Sequence, residues 1–271
     1  MDLSPQLSLS PSPASQECQQ TITALHAIFS NSEKDGDGGD VVDLSESQWG
    51  VMMENPNARD LFLQALDEKR GTSACLGRCS FDAMAMAMTA VLNACLQTDD
   101  IKTSMRVANM ANTFHCLVED DGSADASSDS DESLDAAQIQ DEVAPIPQPP
   151  QKAKASSSGS TKRRYLQREP SIKNHKWWAS EGFWEKALLE GVGAEMALRP
   201  PVSWDDLPQE ALREAVLSVH NMVFGQLGAL ALTMRELGIK ASEIKTTIMD
   251  MSRTAQLSEE LEMLLLQSMS Q

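Results

Sequence analysis

The sequence predicts an all-α protein, an irregular multi-helix bundle built from two helical halves separated by a disordered acidic, Pro- and Ser-rich linker. Three observations carry this expectation. Apolar residues make up 41% of the chain, yet aromatics make up only 4%, and 15 methionines fill much of the space instead. Met, Ala and Leu favour helix, whereas the β-branched and aromatic residues that suit strands are sparse. Apolar positions recur at three- and four-residue spacing on both sides of one long polar segment. That segment, residues 119–164, runs from EDDGSADASSDSDESLDAAQIQDE through APIPQPP to KAKASSSGSTKRR. Charge, proline and serine at this density leave too little apolar surface to offset the entropy of ordering the chain.

Residues 1–16 carry Ser-Pro pairs at Ser4-Pro5, Ser10-Pro11 and Ser12-Pro13. Proline removes a backbone donor and disfavours helix in the residue before it, so a disordered tail is expected there. The N-terminal half is placed at 17–118 and the C-terminal half at 165–271, the two packing as one domain. In the first half, Ile22, Leu25, Ile28 and Phe29 give one buried helical face between Glu17 and Phe29. Ser45 is expected to cap a short helix through Trp49 and Met53. Asn55-Pro56 supplies an N-cap followed by proline at the first helical position, opening a helix that closes near Gly71. Ser80 is assigned as the cap of FDAMAMAMTAVLNACLQ, whose nearly encircling apolar positions predict a central helix. Asp99 and Asp100 open a last helix, with Ile101, Met105, Ala108 and Phe114 inward.

In the second half, Ser180 is assigned as the cap of a helix carrying Phe183, Trp184, Leu188 and Val192. Pro200-Pro201 and Trp204 mark a turn, and a long helix follows from about Pro208. Gly225 and Gly228 within it permit either a close helix approach or a break. Gly238 is the expected C-terminal stop, followed by helices near Ala241–Met251 and Ser258–Met269.

The formal charge is −18, from 40 acidic and 22 basic residues. Such a surface repels phosphate backbones and anionic headgroups, which argues against general nucleic-acid or membrane-surface binding. The start MDLSPQLSLSPSP shows neither the basic nor the apolar region of a secretory signal. No uninterrupted apolar run reaches the ~18–20 residues of a membrane span, the longest lying around Phe224 to Met234. Cys18, Cys75, Cys79, Cys95 and Cys116 are odd in number and lie mostly in apolar helical patterns. Reduced thiols and a cytoplasmic location are therefore expected.

The chemistry-bearing motifs are few. DGDGGDVVDLSE, Asp35 to Glu46, has the twelve-residue length of an EF-hand loop. Asp35, Asp37, Asp43 and Glu46 stand at ligand positions one, three, nine and twelve. Gly39 and Asp40 break the pattern, so an acidic solvated loop is the competing reading. Cys75, Cys79, His115 and Cys116 lack the usual short-spaced zinc pairs, and His115 and Cys116, adjacent on one helix, would point apart. No nucleophile–base pattern, C-x5-R loop or phosphate-binding glycine loop is present. No catalytic residue, cofactor or resident metal is assigned. His220 reads as a helical core residue. Ser128, with Asp131 three residues on, suits an acid-directed kinase. Lys162, Arg163 and Arg164 suit either a nuclear import receptor or a solvated hinge that offsets the acidic linker.

One resemblance adds to this reading. YLQREPSIKNHKWWASEGFWEKALLEGV, followed by FGQLGALALTMRELGI, resembles the SET-binding-factor homology region. That region lies between the DENN and PH-GRAM parts of catalytically dead myotubularins and also occurs alone in small cytoplasmic proteins. The matching positions are Tyr165, Leu166, Pro170, Trp177, Trp178, Phe183 and Trp184, then Phe224, Gly225, Gln226, Leu227 and Gly228. FDAMAMAMTAVLNACLQTDDIKTSMRVANMANTFH is similar to the family's preceding helix pair. Nothing resembles the DENN, PH-GRAM or phosphatase-like parts, so neither exchange activity nor lipid binding by those parts is implied. The resemblance implies a non-enzymatic, protein-binding adaptor or scaffold near membrane traffic or small-GTPase signalling. A calcium-responsive protein using residues 35–46 and a structural subunit of a larger assembly are the alternatives. The sequence identifies neither the protein partner nor the oligomeric state.

Overall fold

The computed structural model describes residues 13–32, 44–72, 74–119, 161–200 and 207–269. It is all-α, with ten α-helices and one short strand pair among the described residues. In the N-terminal half these are α1 (Pro13–Ser32), α2 (Glu46–Glu54), α3 (Pro56–Lys69), α4 (Arg78–Thr98) and α5 (Ile101–Ala111). Strands β1 (His115–Glu119) and β2 (Thr161–Tyr165) pair with each other. The C-terminal half holds α6 (Pro170–Lys173), α7 (Phe183–Ala197), α8 (Gln209–Glu236), α9 (Ala241–Thr254) and α10 (Glu259–Met269). The described residues up to Leu117 and from Arg163 onward form one compact unit.

Several helix starts follow from local chemistry. Ser45 and Gln48 form a reciprocal capping box, with Ser45 N donating to Gln48 Oε1 at 2.8 Å. Asn55 Oδ1 accepts from Asn57 N at 3.0 Å, and Pro56 occupies the first turn of α3. Asp99, left-handed at φ 55°, ends α4, and Asp100 accepts from Thr103 N at 3.0 Å to open α5.

Two expected caps are corrected. Ser80 lies inside α4, which opens at Gly77, and its buried hydroxyl donates to the Ile28 carbonyl at 2.8 Å. A buried hydroxyl needs a partner, and a carbonyl near the end of α1 supplies it. Ser180 lies two residues before the opening of α7, which is Gly182 at φ 71°. The turn requires a left-handed residue, which glycine supplies without steric cost. Residues 13–16, expected in the tail, belong to α1, which starts at Pro13, where proline suits a first helical turn; residues 1–12 lie outside the described residues.

The strand pair is a further correction. His115 and Cys116, expected on a helix, sit on β1, because α5 ends at Ala111 and the chain turns through Asn112 and Thr113. Phe114 still points inward, fully buried beyond the helix end. Glu119 and residues 161–164, assigned to the linker, belong to these strands, and the rest of that segment lies outside the described residues. Arg164 is exposed yet partnered: its Nε lies 2.7 Å from Glu169 Oε1, and its guanidinium sits 5.4 Å from the Phe81 ring centre. Local periodicity cannot show a pairing between segments so far apart in sequence.

α4 is the central helix, packed by α1, α2, α5 and α6. Its small Ala83, Ala87, Ala90 and Ala94 let neighbours approach, and Met84, Met88, Val91 and Leu92 fill the space between them. Two helices, Arg78–Thr98 and Gln209–Glu236, are long and apolar enough to cross a membrane by length and composition. A count of uninterrupted runs passes over both, since isolated Thr, Ser, Asn, Gln and His leave their mean hydropathy high. The apolar window of α4 is 67% buried within the fold, whereas that of α8 is 28% buried.

The two halves meet along α4–α6 and α5–α7. Trp177 Nε1 donates to Ser104 Oγ at 2.6 Å, and Lys186 Nζ reaches Asp99 Oδ2 at 2.6 Å. His175 Nε2 lies 3.2 Å from Asn93 Oδ1. The buried imidazole also accepts from Trp177 N through Nδ1 at 3.3 Å, which fixes the proton on Nε2. Burial, and secondarily the Lys176 cation, lowers the His175 pKa from its ordinary value of 6.5. The unfolded chain therefore binds this proton more readily than the folded one. His175's contribution is fully present above about pH 6.5 and is lost progressively as pH falls below it. A urea midpoint lower at pH 5.5 than at pH 7.5 is expected, with a smaller difference in His175→Gln.

Candidate docking site

Four of the aromatics singled out in the sequence form one buried cluster. Trp177, Trp178, Phe183 and Trp184 are all buried, with the Phe183 ring 5.1 Å from Trp177, 5.4 Å from Trp178 and 4.9 Å from Trp184. The indole donors are satisfied internally: Trp178 Nε1 reaches the Ile172 carbonyl at 2.7 Å, and Trp184 Nε1 the Trp178 carbonyl at 3.0 Å. A large side chain with its polar handle consumed indoors supports structure rather than partner contact. Leu166 is buried beside the cluster, Tyr165 stacks obliquely on His115 at 5.3 Å, and Pro170 starts α6.

The FGQLG segment divides by face. Leu227 is fully buried, and Gln226 packs over Gly191 of α7. Gly225 and Gly228 open instead onto a groove of about 400 Å³ bounded by α8, α9 and α10. A Cβ built on either glycine would meet nothing within 4 Å. The glycines therefore neither break α8 nor seat a neighbouring helix of this chain. Phe224, Leu232, Ile244, Leu265 and Met269 line the groove, with Arg235 as its cation. Leu232 and Arg235 were not singled out in the sequence. The signal was there: Gly225, Gly228, Leu232 and Arg235 follow i, i+3, i+7, i+10 spacing on one helical face.

Gly228→Ala is expected to raise stability by about 0.5–1 kcal/mol, since the methyl has room and glycine costs helix entropy. Gly238→Ala should lower it by more than about 1 kcal/mol. Gly238 sits at φ +74°, and a Cβ there would run into the Lys173 side chain. Thermal melts of both variants check the opposite signs.

A second apolar surface lies where the C-terminal part of α7 meets the N-terminal part of α8. No residue in 189–200 or 207–221 is buried. Leu189 is 71% exposed, Leu198 88% and Leu217 58%. Arg199 ties the two segments together, donating to Ser218 Oγ at 2.6 Å and lying 3.6 Å from Glu195.

The remaining candidates separate. Asp35, Asp37 and Asp43 lie outside the described residues, as do Ser128 and Trp204; Glu46 is exposed and begins α2. Cys75 and His115 pair through their backbones, yet among the described residues no three His, Cys, Asp or Glu side chains gather as a metal site. Cys75 and Cys79 are exposed, Cys95 and Cys116 buried. Burial pushes the Cys95 thiol up to about 11, and Cys116 shifts in the same direction for the same first cause. His220 on α8 is half-buried rather than a core residue.

Fold and surfaces together define an all-α protein with two apolar faces that no described residue covers on its C-terminal half. The chain matches no family model, no curated protein sequence and no solved structure.

Proposed function

We propose that the chain is a non-enzymatic adaptor or scaffold that binds other proteins. The observation that carries this reading is the α7–α8 surface, where Leu198 and Leu217 stand in solvent on segments that the Arg199–Ser218 hydrogen bond brings together. Scattered single apolar residues are ordinary on a surface, but grouped ones mark a place where something docks. The resemblance to the SET-binding-factor homology region supports a cytoplasmic role near membrane traffic or small-GTPase signalling.

The test is a quantitative pull-down from native lysate, with the full chain beside a Leu198→Glu/Leu217→Glu variant. These positions are exposed, so the variant keeps its fold, verified by its helical spectrum and melting temperature. Enrichment of small GTPases or vesicle proteins by the parent, reduced at least tenfold by the variant, is the expected result. Equal enrichment by both baits would remove the α7–α8 surface from the proposal.

A further inference from the structure

We propose that α8 pairs antiparallel with α8 of a second copy of this chain, giving a two-fold symmetric homodimer. The order of residues along the open face of α8 carries the inference. Reversed about the peptide bond between Phe224 and Gly225, that face is its own complement. Glu214 then meets Arg235 of the second copy, Leu217 meets Leu232, Asn221 meets Gly228, and Phe224 meets Gly225. The members of each pair stand equally far from the central peptide bond, so one register serves all four pairs at once. These positions fall within an arc of about 100° and extend over about 32 Å, at 3.6 residues per turn and 1.5 Å per residue.

Nothing among the described residues closes this face. Leu217 is 58% exposed and Leu232 46%; Glu214, Asn221, Gly225 and Arg235 are exposed as well, and Phe224 and Gly228 are half-buried. α9 and α10 border its C-terminal part, yet a Cβ built on Gly225 or Gly228 meets nothing within 4 Å. The glycines leave room for a second helix to come close and for Phe224 of each copy to settle beside Gly225 of the other.

Charge and symmetry select the occupant. Among the described residues neither Glu214 nor Arg235 forms an ion pair within the chain, so both are available across the dimer axis. A two-fold interface sets residue i against j and j against i, and a second copy supplies the reversed order by identity. A parallel pair would set Glu214 against Glu214 and Arg235 against Arg235, with Phe224 on Phe224 and a gap between the glycines. The net charge of −18 opposes association at long range, but that repulsion is screened beyond ~8 Å at physiological salt.

The dimer does not rest on the adaptor reading, and its test contains no other protein. The purified full chain is followed by sedimentation equilibrium over a micromolar concentration series at physiological salt. A reversible monomer–dimer equilibrium is expected. Leu232→Glu changes an exposed position and should keep the helical spectrum. It sets a carboxylate against Leu217 of the second copy and should weaken association at least tenfold. Glu214→Arg and Arg235→Glu should each weaken it at least threefold, because symmetry repeats each charge clash twice, and the double variant should restore the parental affinity. A chain that stays monomeric throughout the series overturns the proposal, as does a dimer indifferent to Leu232→Glu. A double variant no tighter than either single one overturns the antiparallel register. Leu217, shared with the α7–α8 surface, is unchanged in every variant, so capture of partners through Leu198 succeeds or fails independently of the dimer.

Discussion

Phe183→Ala should lower unfolding free energy by about 3–5 kcal/mol, the range for removing a buried phenyl ring from a packed core. Phe183 is 1% exposed and touches three indoles at once, so no neighbour can move into the void without disturbing another ring. Trp177 carries the disturbance onward, because its Nε1 bond to Ser104 ties the cluster to α5. Loss of the ring should therefore loosen the contact between the halves as well as the cluster itself. A urea titration followed by tryptophan fluorescence and by far-ultraviolet circular dichroism measures both effects. Phe183→Leu, which keeps most of the volume, should cost less than half as much. If Phe183→Ala moves the midpoint no more than a surface substitution does, the cluster is not a structural centre.

Arg59→Met is the second large effect, expected at about 2–3 kcal/mol. Arg59 is 4% exposed, yet its Nη1 donates to the Met53 carbonyl at 2.8 Å and the Glu54 carbonyl at 3.1 Å. These carbonyls belong to the last turn of α2, where helical partners run out, and the guanidinium replaces them. Nη2 also lies 3.8 Å from Asp100, which caps α5. One buried cation thus joins three helices. Methionine fills much of the space but leaves the carbonyls without a donor, so the cost is hydrogen bonding rather than volume. Arg59→Lys should recover part of the loss, since a single ammonium reaches one carbonyl but cannot fork. Equal stability of the Met and Lys variants would count against this account.

The starts of α2 and α3 and the joint between α4 and α5 were legible because their signals are local. Ser45 with Gln48, Asn55 with Pro56, and Asp100 with Thr103 are each settled within four residues. The central place of α4 was equally legible, since apolar residues around its whole circumference leave burial as the stable outcome. Ser80 and Ser180 misled because a hydroxyl near a helix start looks the same whether it caps locally or bonds elsewhere. Ser80 donates to Ile28, fifty-two positions away.

The groove shows the same division. FGQLG stood out as a motif, but nothing in its composition distinguished Leu227, facing the core, from Gly225 and Gly228, facing an open channel. That distinction depends on where α9 and α10 pack. The exposed leucines at 198 and 217 were hidden for the complementary reason: an apolar side chain in a helical pattern is read as buried until its neighbours are placed. By itself the sequence determined the all-α class and the caps at Ser45, Asn55 and Asp100, because periodicity and capping act within a few residues. The tertiary structure alone decided the β1–β2 pairing, the bond between Ser104 and Trp177, and which apolar faces remain open. Those features require segments far apart in sequence to meet, and no local preference records such a meeting.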